Sequence, residues 1–392
     1  MSQKVSEVAI KLGCGPLTIA NVYSVFYVLL FGCVVLLLIT KTGAALLFPA
    51  YFLVAMLIVT IFNRTLPLRW VVFFFIYGAT IVPFLTLVLV WLVKLVFGRE
   101  SMFSGAVLVP ILEETLKLLP LLIFLVPKWW RFRWTIGATD LMILGAAIGG
   151  GFTLHEDTLL GFIPGGVYGR TSAEFLLETH AATPHLGPFY LFPSMDIGTA
   201  NTAFIGHTAA TAFIGLTIGL ARLLTGRLGK VAWVLPLWAW TWVVFDHGLF
   251  NYVADVGRLP GLVKFIYTLD GYGKLSSVAL YLLLLGALLL ERWILWRYRE
   301  RTKPYALSMD NLKLLKGKLD DPLEYVGQAA NLRVYVRERR GFTYGLHFYH
   351  SSGKDKSKTG QERLSYLQQV AGALAEWKNG LEVTPSLSLA EG

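Results

Sequence analysis

Charge is scarce in this chain. Only 15% of its 392 residues are Asp, Glu, Lys or Arg, against 55% hydrophobic, and the mean hydropathy is +0.59. A soluble domain of this length covers itself with charge, so the composition excludes one. Repeated apolar stretches about as long as the roughly 30 Å hydrocarbon core make a polytopic membrane protein instead. Cysteine is almost missing: Cys14 precedes the first apolar run and Cys33 lies within it, which implies no disulfide framework. A clear A-x-A cleavage site is missing after "ANVYSVFYVLLFGCVVLLLIT" at 20–40. That run is longer than a signal-peptide core and reads as a retained helix. The helix of soluble metalloproteases is missing too. "HEDTL" at 155–159 begins like H-E-x-x-H but has Leu159 where the second His is required.

What is present is a series of about eight expected transmembrane helices, near 20–40, 44–62, 69–97, 102–126, 139–163, 199–224, 231–253 and 273–296. Basic residues orient them. With a cytoplasmic N-terminus, the inner segments hold Lys4, Lys11, Arg64, Arg69, Lys128, Arg131, Arg133, Arg222, Arg227 and Lys230, and then the run from Arg297 to Lys303. The outer loops hold far fewer. The asymmetry predicts an even number of spans in a cell membrane with both termini cytoplasmic. The fold class expected is therefore all-α and polytopic, with a small α/β cytoplasmic tail. Its parts are a cytoplasmic segment 1–19, accessory helices over 20–101, a catalytic core over 102–253 and a last helix with its basic flank over 254–303. A soluble tail over 304–392 completes the chain and reads as regulatory or partner-binding. In that tail "DNLKLLKGKL" looks helical, "LRVYVRERRGFTYGLHFY" looks like a hairpin, and "QERLSYLQQVAGALAEWKNG" looks like an amphipathic helix ending at a Gly cap. Its positive charge favours a place beside anionic lipid, and no motif points to nucleic acid. The outer loop 164–198 carries Glu174, Glu178, His180, His185 and Asp196, which read as solvated loop residues rather than a metal site.

The few polar residues inside the apolar runs gather in four consecutive spans. "VLVPILEETLKLLPLLIFLV" carries Glu113, Glu114 and Lys117, although each charge at a bilayer centre costs roughly 2.5–3.5 kcal/mol on insertion scales. The next span carries His155, Glu156 and Asp157, then come Asn201 and His207, then Asp246, His247 and Asn251. The first three spans and the eighth read as nearly free of interior charge. Glu113 and Lys117 share a helix face, as do Phe152 with Glu156 and His247 with Asn251. "GGG" at 149–151 lets a neighbouring helix come close just before His155 and Glu156. Asp157 and Asp246 point to other faces and read as structural, and Asp140 reads as a helix cap.

Such a set can hydrolyse an amide. Two adjacent carboxylates in low dielectric cannot both ionise cheaply, so one can take a proton from water while Lys117 holds the other as carboxylate. Imidazoles from two further helices can orient that water, stabilise an oxyanion or protonate a leaving amine, and Asn251 can donate to the same oxyanion. Spacing alone leaves Glu113 and Glu114 equivalent as the base. A zinc site assembled from Glu113, His207 and His247 is the minority alternative to a mechanism that requires no cofactor.

The motifs "EETLK" at 113–117, "FTLHE" at 152–156, the His of "GHTAAT" at 207 and "HGLFN" at 247–251 together resemble the PrsW-type intramembrane proteases. These belong to a superfamily with the CAAX prenyl endopeptidases and bacteriocin-processing enzymes. The resemblance covers roughly 105–252. It implies Glu113 as the water-activating base with Glu114 and Lys117 in support, Glu156 and His247 completing the site, and His207 and Asn251 lining it. It also implies a membrane-anchored protein substrate, such as an anti-sigma factor, cut on the outer side. The prenyl-endopeptidase branch has His where Glu156 stands, which argues against a prenylated substrate. From a different class, buried Glu and His can relay protons in an ion-coupled transporter. Such proteins commonly carry an internal repeat, and none is evident here.

Overall fold

The computed structural model describes residues 52–97, 102–125, 135–162, 195–197, 202–256, 261–269, 274–306, 322–351 and 358–382. The expected span 20–40, the segment "DNLKLLKGKL" and, apart from the backbone of Met195–Ile197, the loop 164–198 lie outside them. Helix α1 covers 52–59 and turns at 60–63. Helix α2 (Leu68–Phe97) follows. A π-turn at Ser104–Leu108 leads into α3 (Val109–Leu125). Helix α4 is Ala138–Phe162. Two short strands, β1 (Met195–Ile197) and β2 (Thr202–Phe204), pair antiparallel with Met195 opposite Phe204. Helix α5 (His207–Leu228) ends at Gly229, whose φ of 59° turns the chain through a 3-10 segment into α6 (Val234–Val256). Helices α7 (Gly261–Leu269) and α8 (Lys274–Arg297) follow, then α9 (Pro322–Ser351) and α10 (Lys358–Glu382).

Three helical runs among the described residues are long and apolar enough to cross a membrane: Leu68–Phe97, His207–Val253 and Val278–Arg297. The expected start of the sixth span at 199 is corrected: β2 occupies Thr202–Phe204, and the helix begins only at His207. Gly206 at that junction has φ 77°, a left-handed turn that glycine makes without a Cβ penalty.

Helix α4 is the centre of the bundle, with residues 138–152 all buried between α2 and α5. Small residues make this packing close. A Cβ on Gly149 would collide with the carbonyl oxygen of His207, so the glycine run does bring α5 against α4 at the level of that histidine. The first turn of α4 is tied by Asp140. Its carboxylate accepts from Gly137 N–H at 2.8 Å, as the third residue of a helix does when it reaches back to the cap. It also accepts from Thr65 N–H (2.9 Å), Thr65 Oγ1 (2.6 Å) and Leu66 N–H (3.0 Å), fastening the loop before α2.

The expectation that the eighth span is nearly charge-free fails at Glu291, which is fully buried on α8. It accepts from Thr139 N–H (2.9 Å), Thr139 Oγ1 (2.8 Å) and Asn63 Nδ2 (3.0 Å). A single Glu near a basic helix end looks like a snorkelling surface residue in sequence. Only the helix start packed against it shows otherwise.

The hairpin expected at 332–349 is also corrected. Those residues lie in the continuous helix α9, and the expected Gly cap at 380 lies inside α10. Tyr335 and Phe342 of α9 pack with Leu367, Val370 and Leu374 of α10, while Tyr344 and Phe348 join the core of the bundle. A helix buried on two sides has no single apolar stripe, and its Val/Tyr-rich stretch imitates the alternation of a strand. Tyr344 Oη donates to Asn63 O at 3.2 Å and Arg340 Nη1 donates to Ile61 O at 3.0 Å, so α9 is docked on the bundle.

Candidate active site

Four helices bring their polar residues to one place. Glu113, Glu114 and Lys117 come from α3, Glu156 from α4, His207 from the first position of α5 and His247 from α6. Glu114 is the hub. Its Oε1 lies 2.8 Å from Lys117 Nζ, 3.1 Å from His247 Nδ1 and 3.3 Å from His207 Nδ1. Lys117 Nζ also lies 2.7 Å from His207 Nδ1. An ammonium can only donate, so that Nδ1 carries the lone pair and the ring proton sits on Nε2, which faces Glu156 Oε2 at 3.0 Å. His247 Nδ1–H in turn donates to Glu114. His247 Nε2 faces Glu113 Oε2 at 3.7 Å, with Lys117 Nζ at 3.9 Å from the same oxygen.

The two glutamates are therefore unlike. Glu114 and Lys117 have no exposed surface, and Glu114 faces three nitrogen groups, whereas Glu113 is nearly buried and its Oε2 has no hydrogen-bond partner. The second oxygen of Glu114 is also unpartnered. Glu156, 39% exposed, marks the mouth of the cluster. His155 is half-buried and takes no part in these contacts, and the side chain of Asp157 lies outside the described residues. Asn251 is not brought into the network. Its Nδ2 donates to Gly105 O at 3.2 Å, tying α6 to the π-turn before α3.

Two aromatic rings hold the imidazoles. Phe204, buried at the end of β2, stacks on His247 (5.0 Å, 23°) and meets His207 edge-on (5.0 Å, 70°). Phe152 meets His207 from another side at 4.8 Å and lies under Lys117 Nζ at 3.9 Å, a cation–π contact in a desolvated place. The sequence reading passed over Phe204. An aromatic three residues before a histidine is a weak signal, and only the turn at Gly206 folds the ring back onto the site.

Glu113, Glu114, His207 and His247 each offer a ligand atom within 4.8 Å of the others. Two carboxylates, two imidazoles and two unpartnered buried oxygens are a donor set that suits zinc, so the residues fit a metal. Lys117 is the competing cation, already in contact with Glu114 and His207.

Comparison with known proteins gives one family. Residues 66–182 match the model described as PrsW family intramembrane metalloprotease. No curated protein and no solved structure matches the chain. The matched stretch contains Glu113, Glu114, Lys117 and Glu156, and His207 and His247, which follow it in sequence, meet them in space. The motifs and the match thus agree on the same family, and the chain resembles a PrsW-type protease, an intramembrane peptide hydrolase.

Proposed function

We propose that the protein hydrolyses a peptide bond of a membrane-anchored, single-span protein, anti-sigma-factor-like by resemblance, in a cavity open to the outer leaflet, with Glu113 as the base. The observation that carries this reading is the inequality of the two glutamates. Glu114 Oε1 accepts from Lys117 and His247, while Glu113 Oε2 is buried, has no hydrogen-bond partner and lies 3.7 Å from His247 Nε2. A water held beside Glu113 Oε2 and His247 Nε2 would be the nucleophile.

Glu113 takes one proton from this water as its oxygen attacks the carbonyl carbon of the substrate. The new oxyanion is stabilised by the adjacent positive charge of Lys117. The C–N bond breaks as Glu113 passes its proton to the leaving amine. Glu114 keeps Lys117 and His247 in place, and Glu156 fixes the ring of His207 through Nε2. If a metal is resident, Glu113, Glu114, His207 and His247 would hold it, and it would supply Lewis-acid polarisation of the carbonyl.

The test is incubation of the purified protein in proteoliposomes with a panel of single-span membrane proteins, read by mass spectrometry. Cleavage lost in Glu113→Gln and His247→Ala supports the reading, and cleavage intact in both overturns it. Ion flux lost on the same substitutions, without cleavage, would instead favour a transporter. Metal analysis with and without chelator decides whether the base works alone.

A further inference from the structure

The lipid-facing side of α8 ends in arginines laid on aromatic rings. Leu282, Leu285, Leu289 and Trp296 recur at helical spacing and are more than half exposed, which makes one apolar stripe along the helix. At its end the guanidinium carbons of Arg227 and Arg297 lie 4.9 and 5.0 Å from the Trp293 ring centre. Arg292 lies 5.6 Å from Phe62, itself exposed after α1. Arg227 belongs to the last turn of α5, so three helix ends share this band.

These contacts leave a specific capacity unused. A guanidinium held beside a ring by its charge still has N–H donors to give to a planar acceptor. Among the described residues, the nearby Arg299 has Glu300 at 3.2 Å, but no carboxylate pairs with Arg227, Arg292 or Arg297, and all three are exposed. Indole rings beside an apolar stripe mark the level of lipid headgroups. A phosphodiester at that level is the group a planar fork binds bidentately. We propose that Arg227 and Arg297, which meet at Trp293, form a binding site for the phosphate of an anionic phospholipid that bridges the ends of α5 and α8, with Arg292 adding positive charge from the neighbouring face of α8.

The full chain, reconstituted in vesicles of equal phosphatidylglycerol and phosphatidylcholine and then released into detergent, is examined by native mass spectrometry. Phosphatidylglycerol is expected in about tenfold excess among retained lipids, the discrimination that one charge-assisted bidentate contact supplies. The triple Arg→Gln variant is expected to retain both lipids equally. The triple Arg→Lys variant keeps the charge without the flat fork and is expected to lose most of the excess. The single exposed substitution Arg297→Gln, checked for unchanged thermal unfolding, is expected to lower the excess and covers the case in which the triple variants fail to fold. Equal retention of both lipids by the unmodified protein overturns the site. So does a full excess in the Arg→Lys variant, which would reduce it to surface potential. Displacement of the lipid by millimolar inorganic phosphate would show a free-phosphate site and also overturn it.

Discussion

Two groups of buried carboxylates lie along α4, and they are satisfied in opposite ways. At its first turn, Asp140 receives four hydrogen bonds from the backbone and Thr65, and Glu291 receives three from Thr139 and Asn63. Those donors are neutral and fixed by secondary structure, so the group closes a joint and has nothing left to give. Beside the other end, Glu113 and Glu114 face an ammonium and two imidazoles, and each keeps one buried oxygen without a partner. An unmet buried acceptor is costly, and it persists where a ligand or a reaction meets it. Burial alone does not mark a functional carboxylate. The chemical kind of its partners does.

Substitutions should divide along that line. The largest effect is expected from Glu113→Gln, which should lower the cleavage rate by about a hundred- to ten-thousand-fold, the worth of a general base, with little change in thermal unfolding. A similar loss of rate per folded molecule in Asp140→Asn would break the distinction. Asp140→Ala should instead cost about 3 kcal/mol or more of stability, since it leaves several donors unsatisfied, as read by denaturant unfolding in detergent. Phe204→Leu keeps a large apolar side chain but removes the ring that stacks on His247. It should reduce kcat about tenfold with KM unchanged, the scale of a misplaced catalytic group. Asn251→Ala loses one hydrogen bond to Gly105 O and should cost about 1 kcal/mol of stability. A loss of rate as large as that of Glu113→Gln would show instead that Asn251 acts on the substrate.

The smallest effect concerns the docking of α9. Burial lowers the pKa of His347, although its hydrogen bond to Leu223 O at 3.2 Å opposes this. The docked state therefore binds the proton less readily than the undocked chain. Docking is fully present above the ordinary value near 6.5 and weakens as pH falls through it. Hydrogen exchange of α9 should rise between about pH 7 and 5 in the native chain and change less in His347→Gln.

Much of this was legible in the amino-acid order. Glu113, Glu114, Lys117, Glu156, His207 and His247 stood out because charge in an apolar run is expensive, and the family match covers the first four. The pairing of Gly149 with a neighbouring helix was legible because a missing side chain is a packing instruction. Three features were not. Asn251 has the spacing to reach the site but spends its amide on Gly105, since a helix face says nothing about which neighbour it meets. Phe204 looked like one aromatic among many. Glu291 lies in the eighth span, which reads as nearly free of interior charge.

By itself, the sequence determined the membrane class and marked the side chains that gather in the candidate site, because hydropathy and the cost of buried charge are local quantities. Only the tertiary structure decided that Glu114 takes the hydrogen bonds while Glu113 Oε2 has none, that the described tail residues are helical and docked, and that an aromatic ring holds the two imidazoles. Those outcomes depend on which groups from distant segments come within hydrogen-bonding or van der Waals distance, and no one-dimensional pattern records that.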